Sequence, residues 1–433
     1  MNHIVVVDLG YGDAGKGTVV DRLCAPGPDG PGAPTAVIRF NGGAQAAHNV
    51  VTPDGRHHTF AQFGSGTLHG VPTHLSRFTL VDPLALSAEA AHLTALGVRD
   101  PYALLTVDHR ALLTTPYHAA ANRLREQARG TARHGSCGMG IGETAAYALD
   151  HPADAPTAGD CRSRTRLTHR LTLLRDRLTD ALGPLRTPPV DACADALTAF
   201  ARTVTLTGDD HLTHLLRRGP AVFEGAQGVL LDEHHGFHPH TTWSTTTPAN
   251  ADTLLAEAGR PGDALRLGVV RTTTVRHGPG PHPTADPALA AALPEPHNGT
   301  GPWQGPFRTG HFDAVAHRHA LTVSGGVDAL AVTHLDAPAR HPGLRVVQAL
   351  TLDGIRTDRL PQPHPDDLTA RQALTTALLA ATPAAWETPG ADPGDWSDAV
   401  SAALSRPVAL ESHGPTAADK RLRHELQPQR KHL

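Results

Sequence analysis

Short apolar and β-branched runs punctuate the chain at residues 4–7, 36–40, 221–223, 267–270 and 329–332. Between them lie Ala/Leu/Arg-rich segments of helical character, notably 164–182 and 191–203. This alternation predicts an α/β fold: a large, mainly parallel central sheet with flanking helices, in one domain with loop and helical insertions. Most of the runs end in glycine or polar residues. Functional groups are therefore expected at the carboxyl ends of strands, where open α/β sheets bind ligands. Pro/Gly-rich stretches at 25–34, 151–159, 277–306 and 388–396 read as loops and surface insertions. No internal repeat is evident.

The 433 residues suffice for a substantial core, and the apolar fraction of 39% excludes an intrinsically disordered chain. A formal net charge of −4 supplies no field to collect a nucleic-acid backbone, and the basic run 420–424 is too short to change that. Nucleic acid is not expected as a partner. No stretch approaches the roughly 20 apolar residues of a membrane span, and the first residues lack a signal-peptide pattern, so the expected location is cytoplasmic. Cys24, Cys137, Cys161 and Cys193 are widely spaced, without a CxxC pair. The 30 histidines show no tetrahedral-ligand spacing, and no zinc is assigned.

Lysine occurs only at Lys16, Lys420 and Lys431. Lys16 stands in Gly10-Tyr11-Gly12-Asp13-Ala14-Gly15-Lys16-Gly17-Thr18, between a predicted buried strand and a helix starting near Thr18. In such a loop the glycines let backbone N–H groups approach phosphates, the ammonium neutralises them, and the helix start favours the anion. The position after the lysine, where a Ser or Thr usually ligates magnesium, is Gly17. Mg2+ then needs another oxygen, and Asp13 is the candidate. A carboxylate inside an anion-attracting loop is costly unless it meets a cation or exchanges a proton with substrate, which argues for a catalytic role.

The sequence resembles the adenylosuccinate synthetase family, GTP-dependent ligases that join aspartate to the 6-position of inosine monophosphate (IMP). The likeness runs through Gly12-Asp13-Ala14-Gly15-Lys16-Gly17, Asn41-Gly42-Gly43-Ala44-Gln45-Ala46-Ala47-His48, Gly140-Ile141-Gly142, Phe223-Glu224-Gly225-Ala226-Gln227-Gly228, Arg276-His277-Gly278-Pro279-Gly280-Pro281, Thr333-His334-Leu335-Asp336 and Ser412-His413-Gly414-Pro415. The resemblance implies that Asp13 takes a proton from purine N1 and ligates Mg2+ together with the backbone carbonyl of Ala47. It also implies that Lys16 clamps phosphate and that His48 helps the 6-oxygen attack the γ-phosphate. GTP would be held by Gly12, Gly15, Lys16, Gly17, Thr18, His334, Asp336, Ser412 and Gly414. The two oxygens of Asp336 suit the N1 and N2 donors of guanine, with a turn or helix cap as its alternative role. Substrate contacts would fall to Gln45, Ser136, Cys137, Gln227, Thr242, Val270 and Arg308. On this reading one domain spans 1–433. The phosphate loop and catalytic histidine lie in 1–50, a mostly helical insertion in 100–215, substrate and guanine-binding strands and loops in 220–340, and a guanine-contact turn and tail in 400–433. A homodimer is expected.

The chain departs from the family at the substrate ends. The family's Thr-Thr-Gly-Arg loop, which grips the aspartate carboxylates, is here Trp303-Gln304-Gly305-Pro306-Phe307-Arg308, leaving Arg308 alone to pair a carboxylate. Where the family contacts the 5′-phosphate, this chain has Ser136-Cys137-Gly138-Met139-Gly140-Ile141-Gly142-Glu143, and 151–159 contains no arginine. Either Arg162 or Arg164 holds that phosphate, or the acceptor differs from IMP. His334 replaces the family's lysine and Ala14 its glutamate.

The preferred expectation is a GTP- and Mg2+-dependent carbon–nitrogen ligase acting on IMP or a purine-like nucleotide, with aspartate or another amine as donor. Three rivals stand beside it: a true adenylosuccinate synthetase, a GTP-binding regulatory protein without turnover, and an ordinary phosphate-loop ATPase.

Overall fold

The computed structural model describes residues 3–26, 33–295, 297–301 and 303–423. Lys431, His424 and the rest of the expected C-terminal tail lie outside the described residues, as do Pro296 and Pro302 of the 277–306 stretch.

The apolar run near the start forms β1 (His3–Asp8), buried along its whole length. Alternation divides its side chains between the two sides of a sheet: Val5 and Val7 join one core cluster, Ile4 and Val6 another. That sheet has ten strands, in the order Lys420–Leu422, Val408–Ser412, Ala329–Thr333, Ala264–Arg271, His3–Asp8, Val222–Glu224, Val37–Arg39, Thr73–Leu75, Leu105–Asp108 and Thr205–Thr207. Neighbours are parallel throughout except for the antiparallel edge pair, in which Glu411 faces Arg421. The expected mainly parallel sheet is therefore present. The five apolar runs of the sequence supply five consecutive central strands, from Ala329–Thr333 to Val37–Arg39.

The predicted helices form at Arg164–Leu182 and Val190–Thr203. The first puts Leu167, Leu171, Leu174 and Leu178 into a third core cluster at helical spacing. A second sheet contains Thr273–His277, Phe307–Asp313, Val346–Leu352, Ile355–Thr357 and Thr382–Glu387. It grows out of the main one: Ala264–Arg271 runs into Thr273–His277 with one residue between them. Among the described residues no helix is long and apolar enough to cross a membrane.

Candidate active site

The loop after β1 turns into α1 (Lys16–Cys24), which begins at the lysine rather than near Thr18. Gly12 and Gly15 both adopt φ 92°, a left-handed conformation open to glycine at little cost. Asp8, which the sequence reading did not single out, ends β1 and organises the loop from inside. Its carboxylate accepts from the backbone N–H of Gly10 at 2.8 Å and of Ala14 at 2.9 Å, and from Lys16 Nζ at 3.1 Å. Lys16 is only 3% exposed and is thereby aimed along the loop.

The loop forms one wall of a cavity of about 1340 Å³, with Gly12, Asp13, Gly15, Lys16, Gly17 and Thr18 on its surface. The turn holding Gln45, Ala47 and His48 forms the neighbouring wall, Ser136 and Cys137 lie further round, and Gln227 and Thr242 complete that side. At the other end stand His334, Asp336, Ser412 and Gly414. The cavity follows the carboxyl ends of the parallel strands, from which the segments at 9–15, 225–228 and 334–336 all depart. Three of its residues, Asp13, Gln227 and His334, hold positive φ (58°, 61° and 57°) without being glycine. Such backbone strain concentrates at functional sites, where the surroundings fix it.

Asp13 Oδ2 lies 3.3 Å from Nε2 of His277, and Arg271 donates to the Asp13 carbonyl at 3.2 Å. Burial alone would raise the Asp13 carboxyl, but His277, then Lys16 and Arg271, outweigh it and hold it below the usual value. The same contact raises His277 against the effect of its burial. His48 Nδ1 sits 2.6 Å from Glu224 Oε1, and its Nε2 has no partner. Burial drives the imidazole down to about 4 despite the pull of Glu224, which itself is held to about 2 against burial by His48, Arg39 and Ser65. The pair is a neutral imidazole on an ionised carboxylate. Gln45 leaves both side-chain polar atoms unpartnered, and Gln227 donates to Thr242 Oγ1 at 2.8 Å while its Oε1 is free. Unsatisfied buried polar atoms of this kind are ordinarily met by ligand or water.

At the far end, Asp336 precedes the short Ala337–Arg340 helix but makes no side-chain cap bond; its Oδ2 accepts from Arg340 at 2.9 Å. His334 is neutral, pushed well down by burial, with Nδ1 2.9 Å from Thr333 Oγ1. The turn with Ser412 and Gly414 is tied to α1 by Thr18 Oγ1, which donates to the Pro415 carbonyl at 2.8 Å. Lys420, read from sequence as part of a minor basic run, is 4% exposed and donates to the carbonyls of Gly414 and Thr416.

Two expected contacts are not brought to the cavity. Val270 lies inside the Ala264–Arg271 strand, fully buried in the core, and the next residue, Arg271, reaches the cavity instead. Arg308, on the Phe307–Asp313 strand, donates to the carbonyls of Gly278 and Gly280 and so braces the loop after the neighbouring Thr273–His277 strand. Nor do Arg162 or Arg164 reach the cavity: the first donates to the Leu206 carbonyl and the second pairs with Asp195 and Asp191. Arg125 and Arg129 line the cavity with Ser136 and Cys137 but are paired with Glu143 and Glu126, and Arg123 donates to the Gly138 carbonyl.

The adenylosuccinate synthetase family model matches residues 5–388, a span that stops short of Ser412 and Gly414. The chain is 32% identical over 378 residues to adenylosuccinate synthetase of Desulfovibrio desulfuricans, covering 84% of this chain and 85% of that one. It is 31% identical over 385 residues to the enzyme of Myxococcus xanthus, with the same coverage. Its fold is similar to fully ligated adenylosuccinate synthetase from Plasmodium falciparum, with a TM-score of 0.78, 16% identity and coverage of 98% and 100%. Succinoaminodeoxyadenylate synthetase of cyanophage S-2L, solved with dGMP and with dATP as energy donor, gives 0.62, 20%, 98% and 96%. With the family model spanning most of the sequence and relatives above 30% identity along most of both chains, this chain belongs to the adenylosuccinate synthetase family.

Proposed function

We propose that the protein is a GTP- and Mg2+-dependent carbon–nitrogen ligase that activates the 6-oxo group of IMP or a similar purine nucleotide and replaces it with an amine. The carrying observation is the convergence of Asp13, Lys16 and His48 on one cavity, with the His48 Nε2 unpartnered and Glu224 behind it.

The chemistry follows from these groups. Asp13, held ionised, accepts the N1 proton, and the electron density passes to the 6-oxygen. That oxygen attacks the γ-phosphorus and GDP leaves, with Lys16 and the loop N–H groups countering the charge on the phosphates. His48, once protonated, donates from Nε2 to the 6-oxygen as that oxygen bonds phosphorus and keeps the proton throughout, its imidazolium charge matched by the Glu224 carboxylate. The amine nitrogen then bonds to carbon 6 while inorganic phosphate departs with the electrons of the C–O bond. Gln45, Gln227 and Thr242 offer amide and hydroxyl groups to the nucleotide; Asp336 offers two acceptors to the guanine N1 and N2 donors.

The donor set also fits magnesium. Asp13 is a single carboxylate beside the phosphate loop and Ala47 lines the same cavity, while His48 occupies the space that a side chain at residue 17 would need. Asp13 and the Ala47 carbonyl would hold Mg2+, the remaining positions falling to phosphate and water oxygens as this ion prefers. Bound there, it neutralises triphosphate charge.

GDP release measured with GTP, Mg2+, a panel of purine nucleotides and a panel of amines, with mass spectrometry of the product, tests this reading. GDP should appear only when acceptor and amine are both present, and Asp13→Asn should abolish it while sparing GTP binding. Undiminished turnover in Asp13→Asn would overturn the mechanism, and release independent of any acceptor would favour a simple NTPase. Since the cyanophage relative takes dATP as donor, ATP belongs in the panel, where GTP is expected to be preferred.

A further inference from the structure

Beyond the phosphate loop, the nucleotide-facing residues and the Asp336 end, the cavity has a wall beside the Asp13 carboxylate, where the amine must reach carbon 6. It contains Leu293, Glu295, His297, Asn298 and Gln304, and it adjoins Asp13. The connection runs through two side chains: Arg271 pairs with Glu295 and donates to the Asp13 carbonyl, and His277 Nε2 lies 3.3 Å from both Asp13 Oδ2 and Asn298 Oδ1.

The guanidinium groups near this wall are already engaged. Arg271 is 5% exposed, and besides Glu295 it donates to Thr273 Oγ1 at 2.9 Å. Arg276, 2% exposed, donates to the carbonyls of Pro279, Pro281 and His240 and lies over the Tyr11 ring, 4.2 Å from its centroid. Arg308 gives one nitrogen to the carbonyls of Gly278 and Gly280, keeps a buried Nε without a partner, and does not line the cavity. A ligand here meets neutral amides on Asn298 and Gln304, the His297 imidazole stacked on His57, and two carboxylates, Glu295 and Asp13.

Resting on the ligase reading, we propose that the amine donor held at this wall carries at most one carboxylate: an amino acid with an uncharged side chain, or a simple amine, and not a dicarboxylate. A second carboxylate would face Glu295 while every nitrogen of Arg271 and Arg276 is already bonded, and like charges set against each other in a desolvated site select against a ligand. An amide or hydroxyl finds donors and acceptors on Asn298 and Gln304. The amine nitrogen bonds to carbon 6, phosphate leaves with the C–O electrons, and the surplus proton leaves with that phosphate.

The test uses the full chain with GTP, Mg2+ and the acceptor nucleotide that supports turnover, comparing L-aspartate and L-glutamate with L-asparagine, L-alanine, glycine and ammonium. An uncharged-side-chain donor or ammonium should exceed L-aspartate by about tenfold or more in kcat/KM, with the matching adduct in the mass spectrum. Glu295→Gln, which releases Arg271, should narrow that gap by about fivefold or more by admitting aspartate. Preference for a dicarboxylate in the unaltered protein overturns this proposal and leaves the ligase reading standing. Failure of every amine to stimulate GDP release overturns both.

Discussion

His48 Nδ1 and Glu224 Oε1 are 2.6 Å apart, and Ser65 fixes the carboxylate from the other side through its N–H and hydroxyl. Glu224 therefore selects the tautomer and ring orientation of His48, leaving Nε2 as its reactive nitrogen. Glu224→Gln keeps the shape but replaces the carboxylate with an amide. Turnover should fall by about a hundredfold, the range of a misdirected general acid–base group, with little change in GTP affinity. Steady-state kinetics beside equilibrium nucleotide binding checks this; unchanged turnover would remove His48 from the chemistry.

Gly17 is also a packing requirement. A Cβ there would lie 2.6 Å from the His48 Cβ and 3.1 Å from its Cα and carbonyl carbon. Gly17→Ser supplies the hydroxyl that phosphate loops usually offer to magnesium, yet it should reduce activity, because His48 must move to make room. The strain should cost about 1–3 kcal/mol, seen as a lower unfolding midpoint. A variant with normal stability and turnover would show that the two segments are not coupled.

Lys420 fixes the turn at the Asp336 end of the cavity. Burial lowers its ammonium to about 8, and it donates to Gly414 and Thr416 carbonyls. Lys420→Met removes both bonds, and leaving buried acceptors unsatisfied costs about 1–3 kcal/mol. Since the turn binds α1 through Thr18, the expected result is a KM for GTP raised about tenfold with kcat largely kept. A loss confined to kcat would contradict it.

Much of this arrangement is legible in the sequence, for definite reasons. The apolar runs are the strands buried on both faces, and such strands must be continuously apolar, so the five recognised were the five central ones. The outer strands Thr73–Leu75, Leu105–Asp108 and Thr205–Thr207 are three or four residues long and partly polar, and give no such pattern. The glycine loop declared itself through an unusual lysine. The same rarity marks Lys420, but a lysine beside arginines reads as surface charge until its carbonyl partners are seen. Val270 and Arg308 miss the cavity for local reasons. Strand alternation turns Val270 into the core one residue before the strand reaches its open end, and the nearby loop carbonyls engage Arg308 before any ligand could. Asp8 and Glu224 were hidden in apolar segments, where a carboxylate has meaning only once its partner, Lys16 or His48, is placed beside it.

Buried histidines predict how the protein responds to acid. Burial pushes His48 to about 4 and His74, His118 and His282 to about 3, all well below the ordinary 6.5. The folded state keeps these rings neutral while the unfolded chain protonates them once pH falls below 6.5. The unfolded state then binds more protons, so stability decreases as pH falls from 6.5 toward 4, by up to about 1.4 kcal/mol per pH unit for each ring. Glu224, held to about 2, adds to the loss only below its ordinary 4.5. The unfolding midpoint should accordingly drop steeply as pH falls from 6.5 to 5. His118 isolates one contribution: it is fully buried, its Nδ1 accepts from the Thr115 backbone N–H at 3.1 Å, and its Nε2 has no partner. His118→Gln retains an acceptor but cannot titrate, so its stability should depend on pH less steeply by about one proton. A midpoint independent of pH over that window, or an unchanged slope in His118→Gln, would refute the assignment of acid sensitivity to these rings.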